Sequence, residues 1–175
     1  MRQTISELVL IIEDSIGKTV QTYLPRSRNV EDYQFKRLPH YFPADLLKNT
    51  RVAVVDIIPV PQIDDPGMEK LFDFKSFNIT GITYNTIYFI KRGHELSESL
   101  HFHELIHVIQ WQYLGAREFL TQYLTNLLTS GYRHNPYEEI AFRYQNKFDT
   151  DFDAYDVAAA VMTELPTLQG KTIAD

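Results

Sequence analysis

Ile5, Leu8, Val9, Ile12, Ile16 and Val20 recur at steps of three and four residues, which places them on one face of a helix over residues 4–23. Thr4 and Glu7 have the spacing of a capping box, and Pro25 follows the last turn, so both ends carry their own signals. The pattern then changes. Residues 25–50 are polar, aromatic and marked by prolines, and read as a surface-wrapping connection with at most a short helix at 43–48. "RVAVVDIIPV" (51–60) is rich in β-branched residues and ends in prolines, which predicts a largely buried strand. After a Pro66-Gly67 turn and a short helical stretch at 68–74, "GITYNTIYFIKRG" (81–93) alternates Ile82, Tyr84, Thr86, Tyr88 and Ile90 against Thr83, Asn85, Ile87 and Phe89. That alternation predicts a second strand over about 81–90, with one face more polar than the other.

From Ser97 onward the period is helical. Ser97 caps a helix running to Leu114 with Gly115 as its stop, Ala116 to Thr129 forms another ended by Gly131, and Pro136 is suited to the first position of a third reaching about Phe148. A last helix is expected over 151–165, with a frayed tail after Pro166. The elements together predict a single α+β domain over 1–175, mainly helical, with a short β-sheet preceding the helices of 97–148. No internal repeat interrupts this reading.

Composition narrows the partners. The 175 residues are 44% hydrophobic, enough for one packed core. The net charge of -6 and pI near 5.5 exclude a broad surface for nucleic acid or an anionic membrane, and leave peptides, proteins or small molecules. There is no cysteine, so thiolate metal sites, thiol nucleophiles and disulfides are excluded together, and a metal would need His and carboxylate ligands. The first twenty residues are interrupted by Glu13 and Asp14 and resemble neither a signal peptide nor a membrane anchor, so a cytoplasmic location is expected, with signal-independent export still open. The sequon Asn78-Ile79-Thr80 matters only in a glycosylating pathway. "GKT" at 17–19 lacks the earlier glycine and the strand of a phosphate-binding loop.

The chemistry concentrates in "HFHELIHVIQ" (101–110). His103, Glu104 and His107 form H-E-x-x-H, and on a helix the two histidines lie one turn apart on one face with Glu104 beside it. Two imidazoles can then grip one ion. A hydrolytic zinc needs three protein ligands and an open position; it activates water, and an adjacent glutamate takes the proton and passes it to the leaving group. Phe102, Leu105, Ile106, Ile109 and Tyr113 are placed on the opposite, core-facing side; the plainer reading of the stretch is an amphipathic helix with surface histidines. The third ligand must come from elsewhere. "GYRHNPYEEIAFRYQ" (131–145) offers His134, Glu138 and Glu139, and Glu138 is favoured because Ala141, nearly one turn on, lets two helices approach.

H-E-L-I-H resembles the zincin metallopeptidases, and a glutamate on a later helix is the pattern of their gluzincin branch. More narrowly, "HELIHVIQWQYLG" followed by "NPYEEIA" resembles small bacterial zincin-like domains, including those associated with contractile injection systems, which share a His-Glu-Leu-x-His-Val-x-Gln helix and a downstream Asn-Pro-x-Glu segment. The resemblance covers about residues 80–148. It implies a zincin-like fold, His103, His107 and Glu138 as zinc ligands, and Glu104 as catalytic acid/base. It departs at Ile140, where a second acidic residue is often found, while Glu139 stands next to the implied ligand, which leaves Glu138 and Glu139 both open.

Gln110, one more turn along the ligand face, is a candidate to hydrogen-bond a ligand or substrate, and Tyr132, His134 and Tyr137 are candidates to bind substrate. His101 and His94 read as surface residues and Trp111 as packing. The expected function is a zinc metallopeptidase acting on a peptide or protein, with strand 81–90 pairing to an extended substrate. The alternatives are an inactive zinc-binding module that recognises a peptide or partner, and a metal-free helical interaction module.

Overall fold

The computed structural model describes residues 4–61 and 79–169. The turn at 66–67, the helix expected at 68–74 and Asn78 lie outside the described residues.

Helix α1 (Ile5–Tyr23) starts as its sequence predicts. The Thr4 hydroxyl accepts from the Glu7 amide at 3.3 Å, and the Glu7 carboxylate accepts from the Thr4 amide at 2.8 Å. The chain continues through β1 (Arg28–Asn29), α2 (Ala44–Asn49), β2 (Arg51–Val55), β3 (Gly81–Tyr84), β4 (Ile87–Lys91), α3 (Glu98–Leu114), α4 (Ala116–Ser130), α5 (Pro136–Thr150) and α6 (Val157–Gln169). The fold is α+β. Its sheet has the order β1-β2-β4-β3, with β2 antiparallel to β1 and parallel to β4, and β4 antiparallel to β3. No helix among the described residues is long and apolar enough to cross a membrane.

Both predicted strands are shorter than their patterns. The stretch 81–90 is a hairpin: Asn85 takes φ 59°, in the left-handed region that asparagine tolerates, and the chain reverses so that Tyr84 pairs with Ile87. A two-residue turn keeps the parity of the alternation, so the pattern runs through it unbroken. β4 is an interior strand, and Ile87 through Ile90 are all buried, which removes the polar face the alternation implied. β2 ends at Val55, opposite the last residue of β4; beyond it Ile57 is 81% exposed.

The stretch at 25–50 is more than a surface wrap. Val30, Leu38, Tyr41, Phe42 and Leu47 join the core, with the Tyr41 and Phe42 rings against Phe102. The Glu98 carboxylate in the first turn of α3 accepts from the Arg37 and Leu38 amides at 2.7 and 2.9 Å, tying this segment to the helix. α6 starts six residues later than expected and runs through Pro166 to Gln169. Asp156 accepts from the Ala159 amide at 2.9 Å, providing an N-terminal cap that the pattern did not locate.

α3 is the axis of the fold, packed by β3, α4, α5 and α6. His101 through Trp111 are buried on every side, so the central helix has no solvent face there, and Tyr113, expected in the core, is 42% exposed near its end. His101 is therefore not a surface residue. Its Nε2 lies 2.9 Å from the Glu95 carbonyl, which can only accept, so Nε2 carries the hydrogen and Nδ1 accepts from the Tyr88 hydroxyl at 2.6 Å. Burial holds His101 down at about 4, against about 6.5 in an unfolded chain. The unfolded state thus binds a proton that the folded state refuses. This increment of stability is present above pH 6.5 and is lost, by about 3 kcal/mol, as pH falls to 4. Denaturant titrations of wild type and His101→Gln across that window are expected to differ in slope by this one proton; equal slopes would sink the assignment.

Candidate metal centre

One turn of α3 brings His103 Nε2 and His107 Nε2 to 3.1 Å from each other. Glu138 is delivered by the first turn of α5, whose start is locked in place by Asn135. That buried side chain accepts from the Tyr137 amide at 3.2 Å and donates to the Tyr123 carbonyl of α4 at 3.1 Å. Ala141 is fully buried, consistent with a close approach of helices α3 and α5. Glu138 Oε2 then lies 3.6 Å from His103 Nε2 and 3.5 Å from His107 Nε2, with all three side chains buried.

These atoms fit a metal ion. A tetrahedral ion with bonds of about 2.0–2.1 Å separates its ligand atoms by about 3.3–3.4 Å, and the triangle here has edges of 3.1, 3.5 and 3.6 Å. Glu138 Oε2 is buried with no hydrogen-bond partner, while its Oε1 accepts from the Tyr123 hydroxyl at 2.7 Å. An orphaned carboxylate oxygen is costly unless something at that point compensates it.

The second layer sets the histidine tautomers. Gln110 donates its amide to the Tyr137 carbonyl at 3.0 Å, which turns its oxygen to His107 Nδ1 at 2.8 Å. Gln145 donates to Ser99 Oγ, which in turn donates to Asp149, so its oxygen faces His103 Nδ1 at 3.0 Å. Both Nδ1 atoms must donate, so Nε2 is the nitrogen of each imidazole that faces the triangle and the one that offers a lone pair when the ring is neutral. Electrostatics agree. Burial opposes the charge on Glu138, but His107 and His103 outweigh it and hold the carboxyl far below the usual range. Burial likewise opposes a charge on His107, and Glu138 outweighs it, raising His107 to about 9. A divalent cation would feel the same pull.

Glu104 sits beside this triangle under β3. Burial raises its carboxyl above the usual range, against the lowering pull of His103, His107 and Thr83. Thr83 Oγ1 donates to its Oε2 at 2.7 Å. The strand can come this close because residue 81 is glycine: a methyl group there would lie 2.2 Å from Glu104 Oε1 and 2.8 Å from Cδ. Gly81→Ala is expected to cost about 1–3 kcal/mol, as overpacking does, and to displace the carboxylate. Chemical denaturation and turnover measured together check this; an unchanged variant would mean that β3 does not hold Glu104.

The other predicted residues separate clearly. Glu139 and His134 are exposed and approach each other at 3.6 Å, outside the triangle, while His134 also lines the cavity that His103, Glu104 and Tyr132 border. Gln110 is a buried partner of His107, and Tyr137 is buried with its hydroxyl given to Gln122, so neither lines the cleft. Tyr132 lines both cavities that meet at His103 and Glu104, and burial with the charges of Glu138 and Glu104 keeps its hydroxyl protonated. His94 is exposed, and Trp111 packs on Phe119 as expected. Sequence reading missed Gln145, Tyr123, Thr83 and Gly81. Gln145 had a signal, since it lies seven residues after Glu138 and so two turns along the same face; the other three sit on different elements and had none. Among known proteins, no family, no curated protein and no solved structure matches the chain.

Proposed function

We propose that the chain is a zinc-dependent metallopeptidase in which His103, His107 and Glu138 hold the ion and Glu104 is the general base. The observation that carries the reading is Glu138 Oε2, buried without a hydrogen bond and facing two imidazole Nε2 atoms at tetrahedral spacing. A bound zinc would supply an acidified water and polarise the scissile carbonyl. The chain's residues do the rest. Glu104, whose burial brings its affinity for protons closer to neutrality, takes the water's proton and returns it to the leaving nitrogen. Tyr132, protonated at the cleft wall with its hydroxyl interacting with Glu138, is placed to donate to the oxygen that gains charge. β3 is the outermost strand of the sheet among the described residues, and an extended peptide can pair along it. The compartment proposed is the cytoplasm, with signal-independent export compatible.

The test is metal loading followed by hydrolysis. Protein stripped of metal and reloaded is expected to bind one zinc per chain and to cut a mixed peptide pool, with chelator stopping the cutting; absence of stoichiometric zinc would overturn the reading. A second reading, a zinc-held module that binds a peptide without cutting it, draws on the engagement of Glu104 by Thr83 and its close fit against Gly81. Stoichiometric zinc without hydrolysis would favour it.

A further inference from the structure

We infer that the cleft selects a peptide carrying an aliphatic side chain on one side of the metal centre and an acidic group on the other; this rests on the reading that a peptide lies along β3. Two cavities, one almost wholly apolar and the other mixed, meet at Ile79, Gly81, His103, Glu104 and Tyr132. The first runs toward α1 and α4, between Ile12, Ile16, Ile82, Phe119, Leu120 and Leu124, and encloses about 80 Å³. Its mouth holds His107 and Glu138 of the metal centre, and beyond them the walls offer a substrate side chain dispersion contacts and few polar partners, so that end takes an apolar group. Size narrows the choice further. An apolar cavity of about 150 Å³ admits benzene, and here at most 80 Å³, part of it at the metal centre, is available, which suits a side chain of leucine size better than an aromatic ring.

The second cavity, of about 620 Å³, opens on the other side of His103 and Glu104, between Thr80, Leu100, Arg133, His134, Phe142 and Gln145. Arg133 is exposed and forms no salt bridge among the described residues. Of the acids nearby, Glu104 is buried and holds Thr83, and Glu139 lies against His134. Within a chain of net charge -6 this groove therefore presents a guanidinium that no carboxylate among the described residues neutralises. A carboxylate is the group that a guanidinium fork matches, in two parallel hydrogen bonds. The two cavities share His103 and Glu104 and extend from them in opposite directions along α3, one past His107 and Trp111 and the other past Leu100 with Arg133, so one peptide can satisfy both.

The selectivity is tested on zinc-loaded Glu104→Gln, which holds a peptide without cutting it, by fluorescence anisotropy with labelled alanine-based peptides. These carry Glu and Leu, Lys and Leu, or Glu and Trp, each in both orders along the chain. In one order the Glu/Leu peptide is expected to bind about fivefold tighter than its Lys or Trp counterpart, with the Glu preference shrinking at high salt. Adding Arg133→Glu should reverse the choice between Glu and Lys, and adding Leu124→Trp should abolish the preference for Leu over Trp while leaving that for Glu. Equal affinities across the set, or an unchanged preference in the Arg133→Glu background, would overturn the inference. Wild-type hydrolysis of a mixed peptide pool separates the two ideas. Cutting with no preference retains the metallopeptidase and removes the selectivity, whereas selective binding without cutting removes the catalysis and retains the selectivity.

Discussion

Glu104→Gln is expected to keep its zinc and to lose hydrolysis by a factor of about 10² to 10⁴, the usual contribution of a general base. The substitution is close to isosteric. The amide oxygen can still accept from Thr83 Oγ1, now 2.7 Å from Oε2, and the three metal-facing atoms on His103, His107 and Glu138 are untouched. What disappears is a group able to take a proton and give it back. Burial raises the carboxyl of Glu104, which favours its holding a proton, and among the described residues the only other carboxylate lining the centre is Glu138. Glu138 is held far below the usual range by the two histidines and makes a poor base. Metal content by mass spectrometry and turnover of a peptide pool measure both halves of the expectation. Retained turnover would remove Glu104 from the chemistry, and lost zinc would make it a ligand.

The second large effect is on stability. With free zinc a thousandfold above its dissociation constant, binding to the folded state alone adds about 4 kcal/mol, which for a chain of this length is about 8–16 °C in melting temperature. Chelator is expected to remove that increment from wild type. In Glu138→Gln the increment should already be missing, because the amide offers Tyr123 the same acceptor but provides no negative charge between the imidazoles. Gln110→Ala tests the second layer. It leaves His107 Nδ1 without its acceptor and is expected to weaken zinc by about 10- to 100-fold, less than the loss of Glu138. A wild-type melt that chelator does not move would point instead to a metal-free helical module.

The parts of the fold that were legible share one property: their signal is local. Thr4 with Glu7, Ser97, Gly115, Gly131 and Pro136 each act through backbone groups within a few residues, and the helix ends they predict are where the structure has them. Local signals also misled. Asn85 and Thr86 alternate in phase with the strands on either side, so the hairpin of β3 and β4 read as one strand. His101 looked like a surface residue because nothing nearby in sequence announces Tyr88, Tyr33 and Phe35, which arrive from the sheet and from the segment before α2.

By itself the sequence determined the helical clamp, since four residues in a helix make one turn whatever surrounds them, and so His103 and His107 share a face with Glu104 beside it. It also determined that any metal here is held without sulfur. Tertiary structure alone decided between the two adjacent glutamates. Consecutive residues on a helix point about 100° apart, so docking α5 against α3, with Ala141 buried, turns Glu138 into the site and Glu139 out to His134. It decided as well that a glycine and a threonine of β3 would hold the Glu104 carboxylate. No spacing along a chain encodes how closely a strand approaches a helix; that distance is set when the side chains between them pack.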